Sequence, residues 1–200
     1  MKIKNLVFDL GNVLVAFQPK DYMKRLGFSN QEIENLFQII FKDKRWSEFD
    51  RGTIQIEEYT EALIHEHPEY KDRIMQMFSE NWTANFLKPK HKSIEFLIEA
   101  SKKYNIYVLS NVSEYVLTYV KTLGFWDKVS GGTYSYAVKS LKPDPKIYER
   151  FISDNNVVPG ECLFLDDLPQ NIEAAQAAGI NGIVFCDNLD EIKERLHANL

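Results

Sequence analysis

Cysteine is scarce in this chain of 200 residues, which carries two, Cys162 and Cys186. Both lie in apolar, strand-like runs and do not form a C-x-x-C arrangement. A free cysteine in such a run behaves as a small apolar residue, so we expect two buried, reduced thiols. Reduced thiols make the cytoplasm the expected location of the protein.

Long apolar runs and excess positive charge are also missing. The longest uncharged stretch, 174–186, has 13 residues and contains two glycines. A membrane-spanning helix needs about 20 apolar residues, so we expect no spanning segment. The N-terminus has no basic leader with a small-residue cleavage site. The formal net charge of −5 gives no general attraction to nucleic acid or to anionic membranes, and we expect neither as a partner.

The order of apolar patterns indicates an α/β fold. From Pro89 onward, helical patterns alternate with short β-propensive runs, which is typical of a parallel sheet covered by helices on both faces. The segment between the first strand-like run and Pro89 has only helical patterns. We therefore predict a Rossmann-like, three-layer core domain formed by 1–16 and 86–200, with an inserted all-helical domain at 17–85.

Several local features are predicted within these segments. Ser29 to Glu32 matches a helix capping box, and 46–52 resembles a charged, aromatic loop or helix end. Residues 113–123 have a helical pattern that ends at Gly124, a candidate C-cap. The final clear strand is expected at 182–186.

Asp9 stands at the end of the first strand-like run and is followed at once by Leu10-Gly11-Asn12. In open parallel sheets, ligands bind beyond the carboxyl ends of the strands, so Asp9 lies where chemistry is expected. A carboxylate there can act as a nucleophile and also bind a hard cation. Considered alone, however, Asp also ends strands simply to form turns.

Further polar residues are predicted at the same sheet edge: Ser110, Asn111, Lys142, Asp166 and Asp167. Three converging carboxylates would repel one another unless a cation neutralised them, and oxygen ligands without His or Cys select Mg²⁺. Lys142 adds positive charge, and the Ser and Asn side chains add hydrogen-bond donors, which together suit a phosphate. Individually, Lys142 could be a solvated loop charge, and Ser110 or the Asp pair could merely cap helices.

The four motifs, in this order, resemble those of the haloacid dehalogenase superfamily. Residues 8–13 are similar to its first motif, 109–111 to its second, 142–143 to its third and 165–167 to its fourth. The helical insertion lies where that family carries a cap domain. The details are most similar to a branch that contains bacterial α-D-glucose-1-phosphate phosphatase, and to the N-terminal phosphatase domain of epoxide hydrolases.

The resemblance implies a Mg²⁺-dependent phosphatase in which Asp9 is the nucleophile and forms an aspartyl-phosphate. Mg²⁺ would be bound by Asp9, the Gly11 carbonyl, Asp167 and, directly or through water, Asp166. The implied phosphate-binding residues are Gly11, Asn12, Ser110, Asn111 and Lys142, and Lys142 would also pair with Asp9 in catalysis. Asn171 is a candidate for orienting Asp167 or a metal-bound water.

One position departs from the family pattern. Most phosphatases of this family carry a second Asp two residues after the nucleophile as general acid and base, and Gly11 stands there in this chain. We expect either a substrate whose leaving group needs little protonation, such as a sugar 1-phosphate or an acyl phosphate, or a poor enzyme, or a proton donor from the cap. The candidate donors are Glu48, Asp50 and His65.

The cap segment 45–52 also contains the candidate specificity residues Trp46, Glu48 and Arg51, which a buried helix end with a solvated charge cluster would explain equally well. The primary expectation is a monomeric or homodimeric phosphomonoesterase that acts on a small phosphorylated metabolite, with a sugar 1-phosphate as the first expected substrate. A phosphomutase, a metal-independent dehalogenase of the same fold and a catalytically weak phospho-ligand-binding protein are the alternatives.

Overall fold

A five-stranded parallel sheet forms the centre of the computed structural model, which describes residues 2–197. The strands in chain order are β1 (Asn5–Phe8), β2 (Val15–Phe17), β3 (Leu87–Pro89), β4 (Asn105–Ser110), β5 (Val129–Tyr134), β6 (Cys162–Asp166) and β7 (Asn181–Val184). The sheet order is β5-β4-β1-β6-β7, and every neighbouring pair in it is parallel. Strands β2 and β3 form a separate antiparallel ribbon.

Strand β1 is the central strand, and its residues alternate between two apolar layers. Leu6 and Phe8 pack into one hydrophobic cluster, whereas Val7 packs into another on the opposite face. Because consecutive side chains of a strand point to opposite faces, a strand buried on both sides needs an uninterrupted apolar run. The run Leu6-Val7-Phe8 meets this requirement, which explains why it forms the middle of the sheet.

Twelve α-helices surround the sheet and fill the insertion within the described residues. They are α1 (Pro19–Arg25), α2 (Asn30–Phe41), α3 (Lys44–Arg51), α4 (Ile56–Glu66), α5 (Lys71–Met77), α6 (Trp82–Phe86), α7 (His91–Ala100), α8 (Glu114–Val120), α9 (Ser135–Val138), α10 (Pro145–Asp154), α11 (Pro169–Ala177) and α12 (Leu189–His197). Helices α7, α8 and α12 cover one face of the sheet, and α10 and α11 cover the other. The predicted three-layer α/β class is confirmed.

Along the chain, helices α1 to α6 come between β2 and β3, and they have a hydrophobic core of their own. That core includes Leu36, Tyr59 and Trp82, and the Tyr59 hydroxyl donates a hydrogen bond to the Ile40 carbonyl. The sequence did not indicate the ribbon, which pairs Ala16 with Lys88. The domain bounds, 17–85 for the insertion and 1–16 with 86–200 for the core, stay a prediction.

Some local predictions are confirmed and others are wrong. The capping box at Ser29 is present. The segment 46–52, predicted as a loop or a helix end, is a helix end: it lies in α3 up to Arg51, and Gly52, with a left-handed φ of 70°, ends the helix. Helix α8 ends at Val120 with Lys121 as its C-cap, so Gly124 has no capping role.

The prediction that Cys186 is buried is also wrong. Strand β7 ends at Val184, and Cys186 lies beyond it in a turn where its N–H donates to Asn188 Oδ1. Cys186 is therefore exposed, whereas Cys162 within β6 is buried. Among residues 2–197, no helix combines the length and apolar character that crossing a bilayer requires.

Gly132 in β5 offers a test of how tightly the sheet is built. A Cβ at this position would lie 2.4 Å from the Val108 carbonyl oxygen of the neighbouring strand. We expect Gly132→Ala to lower the free energy of unfolding by about 1–3 kcal/mol, because the strands must separate to admit the methyl group. Urea denaturation measures the change. Gly124→Ala is the control: nothing lies within 4 Å of its Cβ, so the change should stay within about 0.5 kcal/mol. Equal effects of the two substitutions would contradict this account.

Candidate active site

Three carboxylates meet at the carboxyl edge of the sheet. Asp9 follows β1 directly, Asp166 is the last residue of β6, and Asp167 comes next. Strands β1 and β6 are parallel neighbours, with Phe8 opposite Leu165, so their ends coincide. One oxygen from each of the three carboxylates lies within 4.8 Å of the others. Asp9 and Asp167 border a cavity of about 280 Å³ between the sheet edge and the insertion, and Asp50 borders it as well. Asp166 lies beneath it, fully buried.

Lys142 supplies the positive charge of this cluster. Its Nζ lies 2.9 Å from Asp9 Oδ1 and 2.6 Å from Asp166 Oδ2, and it donates to the Leu109 carbonyl at 3.0 Å. Burial alone lowers the pKa of Lys142, but the two carboxylates outweigh it and raise the pKa above its ordinary value. Lys142 is therefore a permanently charged ammonium shared by two acids.

The position of Lys142 differs from the prediction. It does not end a strand: β5 ends at Tyr134, α9 follows, and Lys142 lies in the loop after that helical turn. The Asn111 side chain holds this loop by accepting from the Lys142 N–H at 2.7 Å and donating to its carbonyl at 3.0 Å. Asn111, predicted to bind phosphate, thus uses its amide mainly to position Lys142.

Asp166 is fully buried, and both of its oxygens are engaged. Oδ1 accepts from the Leu168 N–H and from Asn171 Nδ2, each at 2.9 Å. Oδ2 accepts from Lys142 and from Asn171 at 2.6 and 3.0 Å. Asn171 therefore orients Asp166 and not Asp167, which corrects its expected role. Because both of its oxygens already accept hydrogen bonds, Asp166 mainly positions Lys142 and is less available as a metal ligand.

Asp9 is buried, and its neighbours shift its pKa in opposite directions. Burial raises its pKa to about 6, Lys142 acts in the lowering direction, the Asp166 charge raises it, and a hydrogen bond from Ser110 lowers it. Oδ1 of Asp9 has no partner with hydrogen-bond geometry among the described residues, although Lys142 Nζ lies 2.9 Å away. An attacking oxygen needs a free lone pair, and this arrangement holds one close to a neutralising charge.

The loop after Asp9 positions the side chain of Asp167 at the sheet edge. Asn12 adopts a left-handed conformation with φ of 56°, which Asn tolerates better than most residues. Its Nδ2 donates to Asp167 Oδ2 at 2.9 Å, and Lys90 Nζ donates to its carbonyl at 2.7 Å. At Gly11, an added Cβ would meet only Asp9 Oδ2, at 4.0 Å. The site therefore has room for a side chain that Gly11 does not supply.

The donor set fits Mg²⁺. Oxygen ligands of an octahedral Mg²⁺ lie about 2.0–2.1 Å from the ion, which requires them to be a few ångströms from one another, as these carboxylate oxygens are. Among the described residues that line the cavity, none is His or Cys, so the ligands are hard oxygens. Asp9 and Asp167 have the more available oxygens. Ligation by the Gly11 carbonyl stays a prediction.

The insertion contributes two of its predicted residues to the cavity. Trp46 and Asp50, both on α3, line it, whereas Glu48, Arg51 and His65 are not among its lining residues. Burial raises the pKa of Asp50 to about 8; a hydrogen bond from the Ser113 N–H opposes the shift, and the Asp9 charge adds to it. Of the three candidate proton donors, Asp50 is the one that reaches the site, in its protonated form at neutral pH.

Two features of the site were missed by sequence reasoning. One is an apolar wall from Phe17 on β2 and Val116 on α8, which gave no signal because each lies within an ordinary apolar pattern. The other is the contact that docks α3 on the core. Ser135 Oγ donates to the Asp50 carbonyl at 2.5 Å, and Lys139 Nζ donates to the Gly52 carbonyl.

A family model described as haloacid dehalogenase-like hydrolase matches residues 3–179. The chain belongs to this family. The match confirms the resemblance drawn from the four motifs and covers the insertion and four of the five strands of the sheet, all except β7. The predicted hydrolase class is confirmed with it.

Named relatives share most of the chain. D-ribitol-5-phosphate phosphatase from Bacteroides thetaiotaomicron is 25% identical over 190 residues, covering 88% of this chain and 89% of the relative. Sesquiterpene phosphatase astK from Aspergillus oryzae is 25% identical over 189 residues, covering 93% and 91%. A crystal structure of a haloacid dehalogenase family enzyme from B. thetaiotaomicron, complexed with magnesium and inorganic phosphate, is 27% identical with a TM-score of 0.70, covering 93% of this chain and 96% of that one.

Magnesium binding at the carboxylates can be measured without turnover. At about 100 times its Kd, Mg²⁺ should add ~2.7 kcal/mol to the free energy of unfolding, or roughly 5–10 °C in unfolding temperature. Asp167→Asn should lose most of this gain, because it removes a ligand charge. Asp190→Asn is the control, since its side chain is 96% exposed and is not among those that line the cavity. An equal Mg²⁺ shift in the Asp167 variant would contradict the site.

Proposed function

We propose that this protein is a Mg²⁺-dependent phosphomonoesterase that acts on a small phosphorylated metabolite through an aspartyl-phosphate on Asp9. The observation that carries the proposal is the shared Lys142 ammonium, 2.9 Å from Asp9 and 2.6 Å from Asp166, beside a third carboxylate in one cavity. Two relatives named as phosphatases and a related structure that binds magnesium and phosphate support it.

The proposed reaction has two displacements at phosphorus. An Asp9 oxygen attacks the phosphoryl group, a P–O bond to Asp9 forms, and the ester P–O bond breaks. The departing oxygen takes a proton. Water then attacks the aspartyl-phosphate, which releases inorganic phosphate and restores the Asp9 carboxylate. Bound Mg²⁺ would supply positive charge that screens the phosphate from the carboxylates and stabilises charge on the phosphoryl oxygens.

The protein's own residues would do the positioning. Lys142 offsets the repulsion between Asp9 and the incoming phosphate, and remains charged because two acids hold it. Ser110 lines the cavity and offers a hydroxyl to a phosphoryl oxygen. Asn12 keeps Asp167 directed to the site through its 2.9 Å hydrogen bond. Gly11 and Asn111 are proposed as further phosphate contacts.

We assign the proton transfers to Asp50. It lines the cavity together with Asp9, and it is the candidate donor that the insertion brings there. In the first step its protonated carboxyl gives a proton to the leaving oxygen; in the second, its carboxylate takes one from the attacking water. This assignment gives the role usually held two residues after the nucleophile to a residue of segment 17–85, which we propose acts as a cap.

The alternative functions meet specific difficulties. A phosphomutase must move protons between two hydroxyls of a bound sugar, for which Gly11 is poorly suited. A dehalogenase works without a metal and would not explain the acidic pair Asp166-Asp167 together with Lys142. The expectation of a sugar 1-phosphate rested on Gly11, and a proton donor at Asp50 removes the need for a leaving group that departs without protonation. Cytoplasmic location is proposed from the thiols alone.

Phosphate release from p-nitrophenyl phosphate tests the function. We expect turnover with Mg²⁺, its loss in EDTA and its recovery on adding Mg²⁺ back. Asp9→Asn should lower kcat by at least about a thousandfold, because loss of a covalent nucleophile removes the whole pathway. Asp127→Asn, a surface change beside Lys128, should keep full activity. No release from this ester or from a metabolite panel would favour a phospho-ligand-binding protein, and metal-free chloride release from 2-chloropropionate would favour a dehalogenase.

The pH dependence tests Asp50. The nucleophile must be deprotonated and the acid protonated, so kcat/KM should rise through the pKa of Asp9, about 6, and fall as the pH rises through the pKa of Asp50, about 8. Asp50→Asn should lower kcat/KM by about 10²–10⁴-fold on alkyl phosphates and lose this alkaline decline. Glu48→Gln is the matched control on the same helix. Since Gly11 has space for a side chain, the double variant G11D/D50N should regain part of the activity; an unchanged pH profile in Asp50→Asn would refute the assignment.

A further inference from the structure

The cavity beyond the reacting carboxylate has apolar walls. We propose that the phosphate ester which this protein accepts has an apolar leaving group, a short hydrocarbon chain or a single ring, and not a polyol. The inference deepens the proposed phosphatase function and rests on it. Its evidence is the chemistry of the cavity walls, the engagement of the polar groups among them, and the cavity's size.

The apolar walls come from separate parts of the chain, so their character is not a local accident of one helix. The side chains are Val15 and Phe17 of β2, Trp46 of α3, Phe86 of α6, Val116 of α8, and Leu168 after β6. Leu168 is 43% exposed at the border of the cavity. Apolar side chains that several elements contribute to one concave wall, beside a few polar groups, are typical of a small-molecule site.

The aromatic part of this wall is rigid. Phe17 contacts Trp46 and Phe86 with ring centroids 6.0 and 5.7 Å apart, and Trp46 packs edge-on against Phe41 at 4.8 Å. Such ring pairs stabilise one arrangement beyond their buried area. The wall therefore cannot readily turn away to expose polar groups for a substrate's hydroxyls.

The polar side chains that line the cavity are largely committed to one another. Asn12 bonds to Asp167, Asn111 holds the Lys142 backbone, and Asn171 donates to Asp166.

Within the described lining, the remaining charged or hydroxyl side chains are Asp9, Asp50, Ser110 and Lys142, and all four belong to the reacting end in the proposed mechanism. Trp46 adds one indole N–H donor to the walls. A polyol would therefore bury more hydroxyls than these walls have partners for, which is costly, whereas a hydrocarbon would gain from the same walls.

The cavity volume sets the size of the leaving group. At about 280 Å³ it lies just below the range of roughly 300–1,000 Å³ usual for small-molecule sites, and the phosphoryl group must share it. The proposed leaving group is therefore compact.

A series of n-alkyl phosphates from ethyl to octyl measures this preference directly. With Mg²⁺, kcat/KM should rise about fourfold for each added methylene until the cavity is filled, then level off. Ribitol 5-phosphate and glucose 1-phosphate should be at least about tenfold poorer than the alkyl ester of similar size, because a site without hydroxyl partners penalises them.

Val116→Thr gives a matched test of the wall, since it replaces a methyl with a hydroxyl at nearly constant volume. We expect the ratio of kcat/KM for hexyl phosphate to that for ribitol 5-phosphate to fall about tenfold. Val158→Thr, at a half-exposed position outside the cavity, should leave the ratio unchanged. An unchanged ratio in the Val116 variant would count against the inference.

Binding of n-alkylphosphonates to the Mg²⁺-loaded wild-type protein, measured by calorimetry, separates this inference from the phosphatase proposal. Tighter binding with chain length, without hydrolysis of any ester, would overturn the phosphatase function and retain the apolar site. Hydrolysis that favours polyols or ignores chain length would overturn the apolar site and retain the phosphatase. Absence of both hydrolysis and chain-length-dependent binding would overturn both.

Discussion

The ion cluster of Lys142 with Asp9 and Asp166 is the interaction on which the site depends. An ammonium and two carboxylates out of water are tolerated only when they neutralise and hydrogen-bond one another. The fold meets this condition by placing β1 and β6 side by side, so that their terminal acids reach one cation. The other contacts follow from it: Asn111 holds the loop of Lys142, and Asn171 holds Asp166. The nucleophile is consequently kept buried and close to positive charge.

The sequence was sufficient to predict some residues of the site and not others, depending on whether they end strands or lie in loops and helices. The acids at 9, 166 and 167 were predictable, because strand ends of a parallel sheet meet at one edge wherever they occur in the chain. Lys142 was predictable as a participant, but not its loop, since the helical turn α9 intervenes after β5. The hydrogen bonds of Asn171 could not be assigned, because neighbouring acids are equally reachable from sequence alone.

The insertion was less predictable, because residues on a helix are sorted by its orientation. Trp46 and Asp50 are four positions apart and so share a face of α3, whereas Glu48 lies on a different face. That spacing was a usable signal, but it could be applied only if the segment, which fitted either a loop or a helix end, was known to be helical. The apolar wall was hidden for another reason: Val15, Phe17 and Val116 fit strand and helix patterns that would occur without any ligand.

The way α3 is attached to the core has a consequence for how this site can change over time. Ser135 and Lys139 donate to the backbone carbonyls of Asp50 and Gly52, so these two contacts do not depend on which side chains α3 carries. Replacements at the positions of that helix that line the cavity can alter the lining while these two contacts are retained. Selection, natural or in the laboratory, can therefore explore new selectivities here at little structural risk, which makes α3 an evolvable part of the molecule.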